Sequence, residues 1–574
     1  MQPYSLQGSH FTEFQKKVQD EGMSGDCVGL KRRSLVTKVG QFAYWGALAV
    51  VFAWATSLRF RLPLDPIADG DALGYLYPGL SELSGTGFVR CGRNFLYPGF
   101  LFLLLRCFGD FRAITIVQHL LGIATGGMFL ITWRRIRDFL PHPNLPYPMH
   151  RCFGLLAGTL YLLAEEPIRF EAQIRPEGIF AFLVILNIYL ILRFTASCFL
   201  RPDRGIPVGY GIAAVFSSAV MVFAKPSFGI AALGVLVPVG AALFRSGQMW
   251  RKVALTTGAT LSVVLLAVPE YFFSRDDPRR ATFLPTDLFM IHADIVRDQM
   301  AADLAENVSS PYGKDWLTRV HAALDIEIKK SIINRGGEYY PTLGFDPDYL
   351  MYKPGSTDAQ LRRMFHNNVR ELCAFYRFYY RRIWHRQPIY VLKKITRQMS
   401  VFYASSCPAY DNYSVPMAGE YMWSALCLRD PQLRAVWIAY QPAVEFMKRT
   451  LQLRNTASVL EQSKCVRWLF YPLARSYLAV FFMSVAISLA VLCKPRLRQR
   501  WGWFAALVLF LYWYNAGNCL EVAVFHTLDI GRYRTAQLIF TILAQFTASL
   551  LMLEVALEAL YRFTPRIAGR NAPV

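Results

Sequence analysis

Long apolar runs alternate with short polar segments rich in arginine along most of the chain. A run of about 20 apolar residues with few charges has the length that crosses the hydrocarbon core of a bilayer as an α-helix. The expected fold is therefore an all-α polytopic membrane protein. The pattern predicts about ten spanning helices, at 42–58, 113–133, 150–165, 177–196, 208–224, 227–244, 253–273, 471–493, 501–519 and 536–557.

One further apolar segment, 95–108, has only about 14 residues and is short for a membrane crossing. If it crossed the membrane, the arginines after the next span would lie on the opposite side from the other basic clusters. We therefore predict a juxtamembrane or re-entrant helix within the first external loop. A short true span is the alternative.

The long segment 274–470 contains no run that could span a membrane. It is rich in tyrosine and arginine, and positions 359–386 have helical periodicity, which predicts a mainly helical extracytoplasmic region. The predicted organisation is a cytoplasmic tail at 1–40, a first membrane part at 41–273 with a catalytic external loop at 59–112, the extracytoplasmic region at 274–470, a second membrane part at 471–557 and a cytoplasmic tail at 558–574.

The chain of 574 residues is 54% hydrophobic and has a formal net charge of +22. Such a charge can indicate nucleic-acid binding, but here the basic residues flank apolar spans and no DNA-binding motif accompanies them. In the predicted arrangement these clusters fall on one side, which the positive-inside rule identifies as cytoplasmic. They are Lys31, Arg32, Arg33 and Lys38; Arg134, Arg135 and Arg137; Arg193, Arg201 and Arg204; Arg245, Arg251 and Lys252; Lys494, Arg496, Arg498 and Arg500; and Arg562, Arg566 and Arg570.

Two carboxylates separated by a glycine, Asp69 and Asp71, lie where the first predicted span leaves the lipid, shortly after Asp65. A carboxylate in a partly buried site can accept a proton from a hydroxyl group that attacks an anomeric carbon. Asp-Gly-Asp is equally typical of a solvated turn. The spacing alone leaves both interpretations open.

Basic residues are predicted on the same external face. Arg90 and Arg93 precede the short apolar helix that begins near Tyr97, and they either bind a lipid phosphate or anchor the helix. Lys225 lies in a tight turn between two spans, where it either meets an anion or extends to the interface.

The remaining candidates lie at two other external turns. Glu165 and Glu166 are either cavity-lining groups or structural residues, and the Pro176-Glu177 pair is typical of a helix start. Near the last span, Arg532 and Arg534 follow His526 on the side that positive-inside bias disfavours. They pair either with a phosphate or with the acids of the first loop, and a structural salt bridge is the alternative.

The order of these motifs resembles that of membrane-embedded C-type glycosyltransferases, a group that includes protein O-mannosyltransferases, aminoarabinose transferases and arabinofuranosyltransferases. The resemblance covers roughly the first 270 and the last 100 residues, and 274–470 matches nothing in it. The matching motifs are Asp71-Ala72-Leu73-Gly74-Tyr75-Leu76, Tyr97-Pro98-Gly99-Phe100-Leu101, Trp133-Arg134-Arg135, Ala224-Lys225-Pro226 and Arg532-Tyr533-Arg534.

The resemblance implies an inverting transferase of the bacterial inner membrane that uses a polyprenyl-phosphate-linked sugar. The acceptor would be an envelope glycan, lipid or protein on the extracytoplasmic face. Asp71 would be the general base, with Asp69 as substitute or supporting acid. No cofactor is implied, although a divalent cation at the two acids is left open. The donor phosphate would be held by Arg93, Lys225, Arg532 and Arg534, and Tyr97, Glu165, Glu166 and His526 complete the candidate substrate-binding set.

Two other classes of function use similar residues. A transporter or flippase of lipid-linked sugars would move the substrate without reacting it, but such proteins often contain inverted repeats and matched broken spans, which this sequence does not show. A non-catalytic scaffold for envelope assembly would tolerate replacement of single acidic residues.

Overall fold

The computed structural model describes residues 26–140, 143–201, 205–306, 311–333, 340–429 and 437–568. Most of these residues are helical, which confirms the all-α prediction. The strands of the described part are the two-residue β1 (Val415–Pro416) and β2 (Val459–Leu460), which pair antiparallel.

The helices up to the end of the first membrane part are α1 (Asp26–Phe60), α2 (Ala72–Leu83), α3 (Leu96–Phe108), α4 (Arg112–Ile136), α5 (Tyr147–Leu162), α6 (Glu165–Ala172), α7 (Glu177–Thr195), α8 (Val208–Ala224), α9 (Gly229–Ala232), α10 (Leu236–Leu243) and α11 (Met249–Ser274). Short 3-10 or π turns lie at Arg137–Phe139, Ala196–Leu200, Pro226–Phe228, Leu233–Val235 and Pro408–Tyr410.

The helices of the following region are α12 (Pro278–Met290), α13 (Ala293–Ala305), α14 (Lys314–Ile333), α15 (Pro347–Tyr352), α16 (Thr357–Met364), α17 (Val369–Arg386), α18 (Pro388–Phe402), α19 (Met417–Cys427) and α20 (Gln441–Leu453). The last membrane part contains α21 (Lys464–Cys493), α22 (Pro495–Phe525), α23 (Gly531–Thr535) and α24 (Leu538–Ala568).

Eight helical stretches of the described chain are long and apolar enough to cross a membrane, and they coincide with eight of the predicted spans. The other two predicted spans correspond to α5, with 16 residues, and α8, with 17 residues. A total of ten spans stays a prediction. The eight stretches are Gly40–Phe60, Arg112–Phe139, Glu177–Leu200, Pro226–Leu243, Met249–Ser274, Lys464–Cys493, Pro495–Phe525 and Gly531–Tyr561.

The short apolar segment before α4 forms α3, which has 13 residues and packs against α2. At 1.5 Å per residue it is about 20 Å long, less than the thickness of the hydrocarbon core. It ends at Gly109, whose φ of 63° is the left-handed conformation that glycine adopts readily at a helix end. These dimensions suit the predicted juxtamembrane helix.

Basic residues that follow three of the apolar stretches meet at one end of the helix bundle. Arg245 donates a hydrogen bond of 2.6 Å to the main-chain oxygen of Cys198, and Arg201 lies 3.9 Å from Asp138. The turns Arg137–Phe139 and Ala196–Leu200 are in contact there, and α22 also contacts the first of them. These three clusters therefore share one end. That the other basic clusters lie there too, and that this end faces the cytoplasm, stay predictions.

The terminal helices extend beyond the predicted spans. Helix α1 begins at Asp26, within the predicted tail 1–40, and α24 continues to Ala568, within the predicted tail 558–574. The remaining parts of both tails, 1–25 and 569–574, lie outside the described residues.

The helical periodicity over 359–386 corresponds to two helices, α16 and α17, with a break between them. His366 and Asn367 have positive φ angles of 51° and 60°, which end the right-handed helix. The side chain of Asn368 then accepts hydrogen bonds from the main-chain N–H groups of Arg370 and Glu371, so that a new helix begins. Periodicity persists across the break because both helices bury apolar residues in the same core.

Candidate functional site

The first external loop is fixed beside the turn that follows α6. The main-chain N–H of Ile67 donates to the oxygen of Ala172 at 2.8 Å, and the N–H of Ile174 donates to the oxygen of Ile67 at 3.0 Å. These bonds form a short parallel bridge between two segments that are distant in sequence. Arg175, one residue beyond the bridge, is thereby placed next to the acidic stretch.

Asp69 organises the start of α2. Its Oδ1 accepts hydrogen bonds from the main-chain N–H groups of Asp71 at 3.0 Å and Ala72 at 2.9 Å, as a helix-capping carboxylate does. Its Oδ2 forms an ion pair with Arg175. Both oxygens of Asp69 are therefore engaged, one by main-chain N–H groups and one by Arg175.

Asp71 is surrounded by three guanidinium groups from three separate segments. Its Oδ1 lies 2.7 Å from Nη2 of Arg93, and its Oδ2 lies 2.8 Å from Nη1 of Arg532 and 3.4 Å from Nη1 of Arg175. About a third of the Asp71 side chain remains exposed. In this structure Arg532 is thus paired with Asp71, an acid of the first loop, and whether it also binds a phosphate stays a prediction.

These contacts set the ionisation of Asp71. Burial by itself would raise its pKa, but Arg93 and Arg532 lower the pKa to about 2. The carboxylate is therefore charged at any physiological pH. While it is paired in this way it is a weak base, and it becomes a stronger one only if the guanidinium groups are withdrawn.

Aromatic rings support Arg93 from behind. Its guanidinium carbon lies 4.8 Å from the ring centroid of Tyr75, which packs edge-on against Tyr97 at 5.2 Å. The Tyr97 hydroxyl donates to Gln118 at 2.9 Å, and Tyr97 is only 1% exposed. Tyr97 thus lies behind the charged cluster. Gly74 allows the close packing, since a Cβ at this position would be 3.0 Å from Nε of Arg93.

Lys225 lies beside this cluster in an ion pair. Its Nζ is 2.8 Å from Oε1 of Glu177, and both side chains are buried, with 12% and 6% exposed. The same nitrogen lies 5.4 Å from the ring centroid of Tyr533, the neighbour of Arg532. Lys225 is therefore adjacent to Arg532, but its charge is already balanced by Glu177.

Glu165 and Glu166 lie at the start of α6 and are both buried. Glu166 accepts hydrogen bonds from Arg169 and from the hydroxyl of Thr535, each at 3.3 Å, which links it to the end of α23. No side chain of the described part donates to Glu165, which is 1% exposed. Burial, followed by repulsion from Glu166, raises the pKa of Glu165 to about 8.

His526 and Arg534 flank the Arg532 contact. The ring of His526 lies 5.2 Å from that of Tyr533, and burial together with nearby Arg532 lowers its pKa to about 3, so this imidazole is neutral. Burial raises the pKa of Asp411, and the nearby charge of Arg534 partly opposes that rise. The buried Nε of Arg534 has no hydrogen-bond partner among the described residues. Arg534 and Arg532 therefore face different carboxylates.

Two residues of the site were not among the predicted set. Arg175 contacts both Asp69 and Asp71, but nothing in the sequence distinguishes it from the other arginines that lie at turns. Asp287 of α12 is 5% exposed and lies close enough to Arg93 for that charge to oppose the strong rise that burial produces in its pKa. No local pattern marks Asp287, because its relation to Arg93 arises only when the region after α11 packs on the first loop.

A cavity of about 580 Å³ lies between the first external loop and the end of α11. Its lining includes Gly74, against which Arg93 packs, and the exposed ion pair between Arg90 and Asp276. Tyr77 and Phe88 provide apolar surface in the same cavity. The cavity thus combines an apolar wall with a charged one, in which Arg90 and Arg279 are matched by Asp276 and Asp277.

The described residues contain no group of three or more His, Cys, Asp or Glu side chains arranged to hold a metal ion. The oxygens of Asp69 and Asp71 are engaged by arginines and main-chain N–H groups. Whether activity requires a divalent cation stays a prediction for experiment.

The fold defines a polytopic membrane protein, and the site is a cationic cluster around one carboxylate at the end of the bundle that bears the 274–470 region. Comparison with models of known protein families gives no match, and comparison with curated proteins gives no matching relative.

Proposed function

We propose that the protein is an inverting glycosyltransferase that takes a sugar from a polyprenyl-phosphate-linked donor and passes it to an envelope glycan, lipid or protein. The observation that carries this proposal is the contact of Asp71 with Arg93, Arg175 and Arg532. The resemblance of the motifs around Asp71, Lys225 and Arg532 to those of C-type glycosyltransferases supports it.

The charge balance of the cluster suits a phosphate ligand. Three guanidinium groups meet two carboxylates, Asp69 and Asp71, which leaves one positive charge in excess. Arg93 and Arg532 are 27% and 28% exposed, so both can reach a ligand. Guanidinium groups bind phosphate through paired N–H donors, which makes them the expected partners of the donor phosphate.

In the proposed reaction the acceptor hydroxyl attacks the anomeric carbon while its proton passes to the carboxylate of Asp71. The new bond joins the acceptor oxygen to the anomeric carbon, and the bond from that carbon to the donor phosphate breaks. The bonding electrons leave with the polyprenyl phosphate, and Arg93 and Arg532 stabilise its negative charge. A single displacement of this kind inverts the anomeric centre.

Donor binding would also activate the base. The phosphate competes with Asp71 for the same two guanidinium groups, since each of them has a limited number of N–H donors directed into the site. Once they turn to the phosphate, the interactions that hold the pKa of Asp71 near 2 are lost. The pKa then rises toward the range in which a carboxylate can take up the acceptor proton.

The cavity of about 580 Å³ supports lateral entry of the donor from the bilayer. It opens at the end of α11. Only 11% of the apolar stretch of this helix is buried against the rest of the protein, so most of its surface is free to face lipid. In this proposal the site faces the extracytoplasmic side of a bacterial inner membrane, and a transporter or flippase of lipid-linked sugars is the alternative.

The test compares binding and transfer in the variant Asp71→Asn, with Asp298→Asn as control, because Asp298 is an exposed acid of α13 that lines neither the cavity nor the cluster. Binding of a polyprenyl monophosphate is measured on the purified full chain, and transfer is measured with radiolabelled polyprenyl-phosphate sugars and membrane extract as acceptor. We expect D71N to bind the phosphate at least as tightly as the native protein and to lose about 10²–10⁴-fold in transfer.

The two activities must separate for the proposal to stand. If D71N transfers sugar at the native rate, Asp71 is not the base. If the native protein moves a labelled lipid-linked sugar across vesicles but attaches it to no acceptor, the transporter alternative replaces the enzyme.

A further inference from the structure

A second cavity lies at the other end of α4, far from the candidate site. Helix α4 begins at Arg112, whose guanidinium pairs with Asp110 near the first external loop, and ends at Ile136. A rise of 1.5 Å per residue separates the two ends by about 36 Å. The cavity has a volume of about 650 Å³, and its lining includes Ile131, Arg134, Arg135, Arg137, Asp138 and Tyr147.

The wall of this cavity has a strong excess of positive charge. Three arginines line it, and Arg201, directly after the helical stretch Glu177–Leu200, lies near its Asp138. Asp138 is the one carboxylate among the lining residues, and its contacts are loose, at 3.5 Å to Arg135 and 3.9 Å to Arg201. Among the residues that the structure describes here, four guanidinium groups against one carboxylate leave three positive charges in excess.

One nitrogen of the Arg137 guanidinium also lacks a hydrogen-bond acceptor in the described part of the chain. The Nη1 atom of Arg137 is buried and has no hydrogen-bond partner among the described residues, while the guanidinium carbon lies 4.9 Å from the ring centroid of Tyr147. A buried N–H group without an acceptor carries a free-energy penalty, and native structures rarely tolerate one. An anionic oxygen in the cavity would remove that penalty.

Aromatic side chains place the cavity at the depth of lipid headgroups. Tyr44 and Trp45 of α1 stand beside Arg151, whose guanidinium carbon lies 3.7 Å from the Tyr44 ring centroid and 5.9 Å from that of Trp45. Arg151 also lies 5.6 Å from the ring of Tyr147, which lines the cavity. Tyrosine and tryptophan concentrate at the boundary between water and hydrocarbon, where headgroups are found.

We propose that this cavity binds the phosphodiester headgroup of an anionic membrane phospholipid. Arg137 donates its unpaired N–H to a phosphate oxygen, and Arg134 and Arg135 complete the cationic wall. Ile131 is 43% exposed and lies between one and a half and two helical turns before Arg137, on the side toward the bilayer centre. In this proposal an acyl chain of the lipid lies along the exposed surface of Ile131. A free phosphate has the same anionic oxygens as the headgroup, but it gains nothing from contact with the apolar surface of Ile131 or from a site at the depth of the lipid headgroups.

The proposal is tested by native mass spectrometry of the purified, delipidated full chain. It is titrated with phosphatidylglycerol, with phosphatidylcholine and with inorganic phosphate. We expect one phosphatidylglycerol molecule to bind about tenfold more tightly than phosphatidylcholine, and excess inorganic phosphate not to displace it. Arg137→Gln should weaken that first binding step about tenfold through loss of a charged hydrogen bond.

Arg496→Gln is the matched control, because Arg496 is exposed at the start of α22, the end of the bundle to which the cavity belongs, and does not line it. Arg134→Gln provides a second variant at an exposed position, in case R137Q does not fold. Equal binding of the two lipids, or equal affinity in R137Q, R134Q and R496Q, would overturn the site. Displacement by inorganic phosphate would assign it to a soluble anion and overturn the lipid.

Discussion

At the scale of single residues, the structure separates two arginines that the sequence treats alike. Arg532 contacts Asp71 at 2.8 Å, whereas Arg534 influences Asp411. The difference arises because α23 is a short helix, and residues two positions apart on a helix point in different directions. The proposed donor phosphate therefore meets Arg532 first.

We predict that Arg532→Ala weakens binding of a polyprenyl monophosphate by about 1.5–3 kcal/mol, the contribution of a charged hydrogen bond. Arg534→Ala should weaken it by less than half as much. Binding is measured on purified protein in detergent by fluorescence of a labelled lipid. Arg532→Lys is the control, since lysine keeps the positive charge but lacks the two adjacent N–H groups with which a guanidinium binds a phosphate. Equal losses in R532A and R534A would contradict the separation seen here.

Glu165 gives a prediction about pH. Its pKa in the folded chain is about 8, compared with an ordinary value of 4.5, so the folded state retains a proton that the unfolded state loses between these values. Stability should therefore be greatest below about pH 4.5, decrease as the pH rises from there to about 8, and level off above, with a total loss of at most about 5 kcal/mol.

Replacement by glutamine removes this titration. Glu165→Gln should match the native unfolding temperature at pH 5 and exceed it at pH 8, as measured by thermal unfolding in detergent. Glu82→Gln is the control, because Glu82 is exposed. A native protein whose unfolding temperature rises from pH 5 to pH 8 relative to E165Q would show that Glu165 is not held protonated.

At the scale of elements, the region after α11 holds the first external loop in place. The hydroxyl of Tyr421 on α19 donates to the main-chain oxygen of Asp65 at 2.5 Å, and Arg449 on α20 pairs with Asp65 at 2.7 Å and Asp110 at 3.0 Å. Ser424 accepts the N–H of Ala68 at 3.0 Å. These contacts fix the residues that immediately precede Asp69.

We predict that Arg449→Met loosens this loop and lowers transfer, although Arg449 does not touch the cluster around Asp71. Asp65 is only 9% exposed as a side chain, so the loss of its partner should reduce stability by about 1–3 kcal/mol. Hydrogen exchange over residues 65–72 measures the loosening. Lys448→Met, at the exposed neighbouring position, is the control. Unchanged exchange in R449M would show that the main-chain bridge and the contacts of Tyr421 and Ser424 hold the loop without Arg449.

The break between α16 and α17 illustrates what periodicity cannot locate. Apolar positions recur through 359–386, so the pattern correctly indicates helix and core. His366 and Asn367, which have left-handed backbone conformations, do not interrupt that pattern. The spacing of apolar residues reports which face of a helix is buried, and it does not report a change in the direction of the helix axis.

At the scale of the whole molecule, the two ends of the bundle bear different chemistry. The cluster around Asp71 lies at one end, and the basic residues that follow three of the apolar stretches lie at the other. Helix α22 connects the two ends, from Arg500, which pairs with Glu558, to Phe525, which precedes His526. Labelling from one side of the membrane can therefore tell the two ends apart.

We predict that a cysteine at Lys353 reacts with a membrane-impermeant reagent added outside intact cells, and that a cysteine at Arg498 reacts only after permeabilisation. Both native side chains are exposed. The native cysteines that are exposed among the described side chains, Cys107, Cys152, Cys465 and Cys493, are first replaced by serine, as is Cys27. The reverse pattern would invert the topology and move the proposed active site to the cytoplasmic face.

The sequence by itself determined the all-α membrane class and the positions of eight described helical stretches long and apolar enough to cross a membrane, because hydrophobic length is a local property of the chain. It also singled out Asp71, as an acid directly after an apolar span, and Arg93 and Arg532, as arginines on the face that positive-inside bias disfavours. The tertiary structure alone decided that Asp71 and Arg532, 461 positions apart, share a hydrogen bond, and that Arg175 joins them. Such contacts depend on how the helices and loops pack, and no local pattern of residue types encodes that packing.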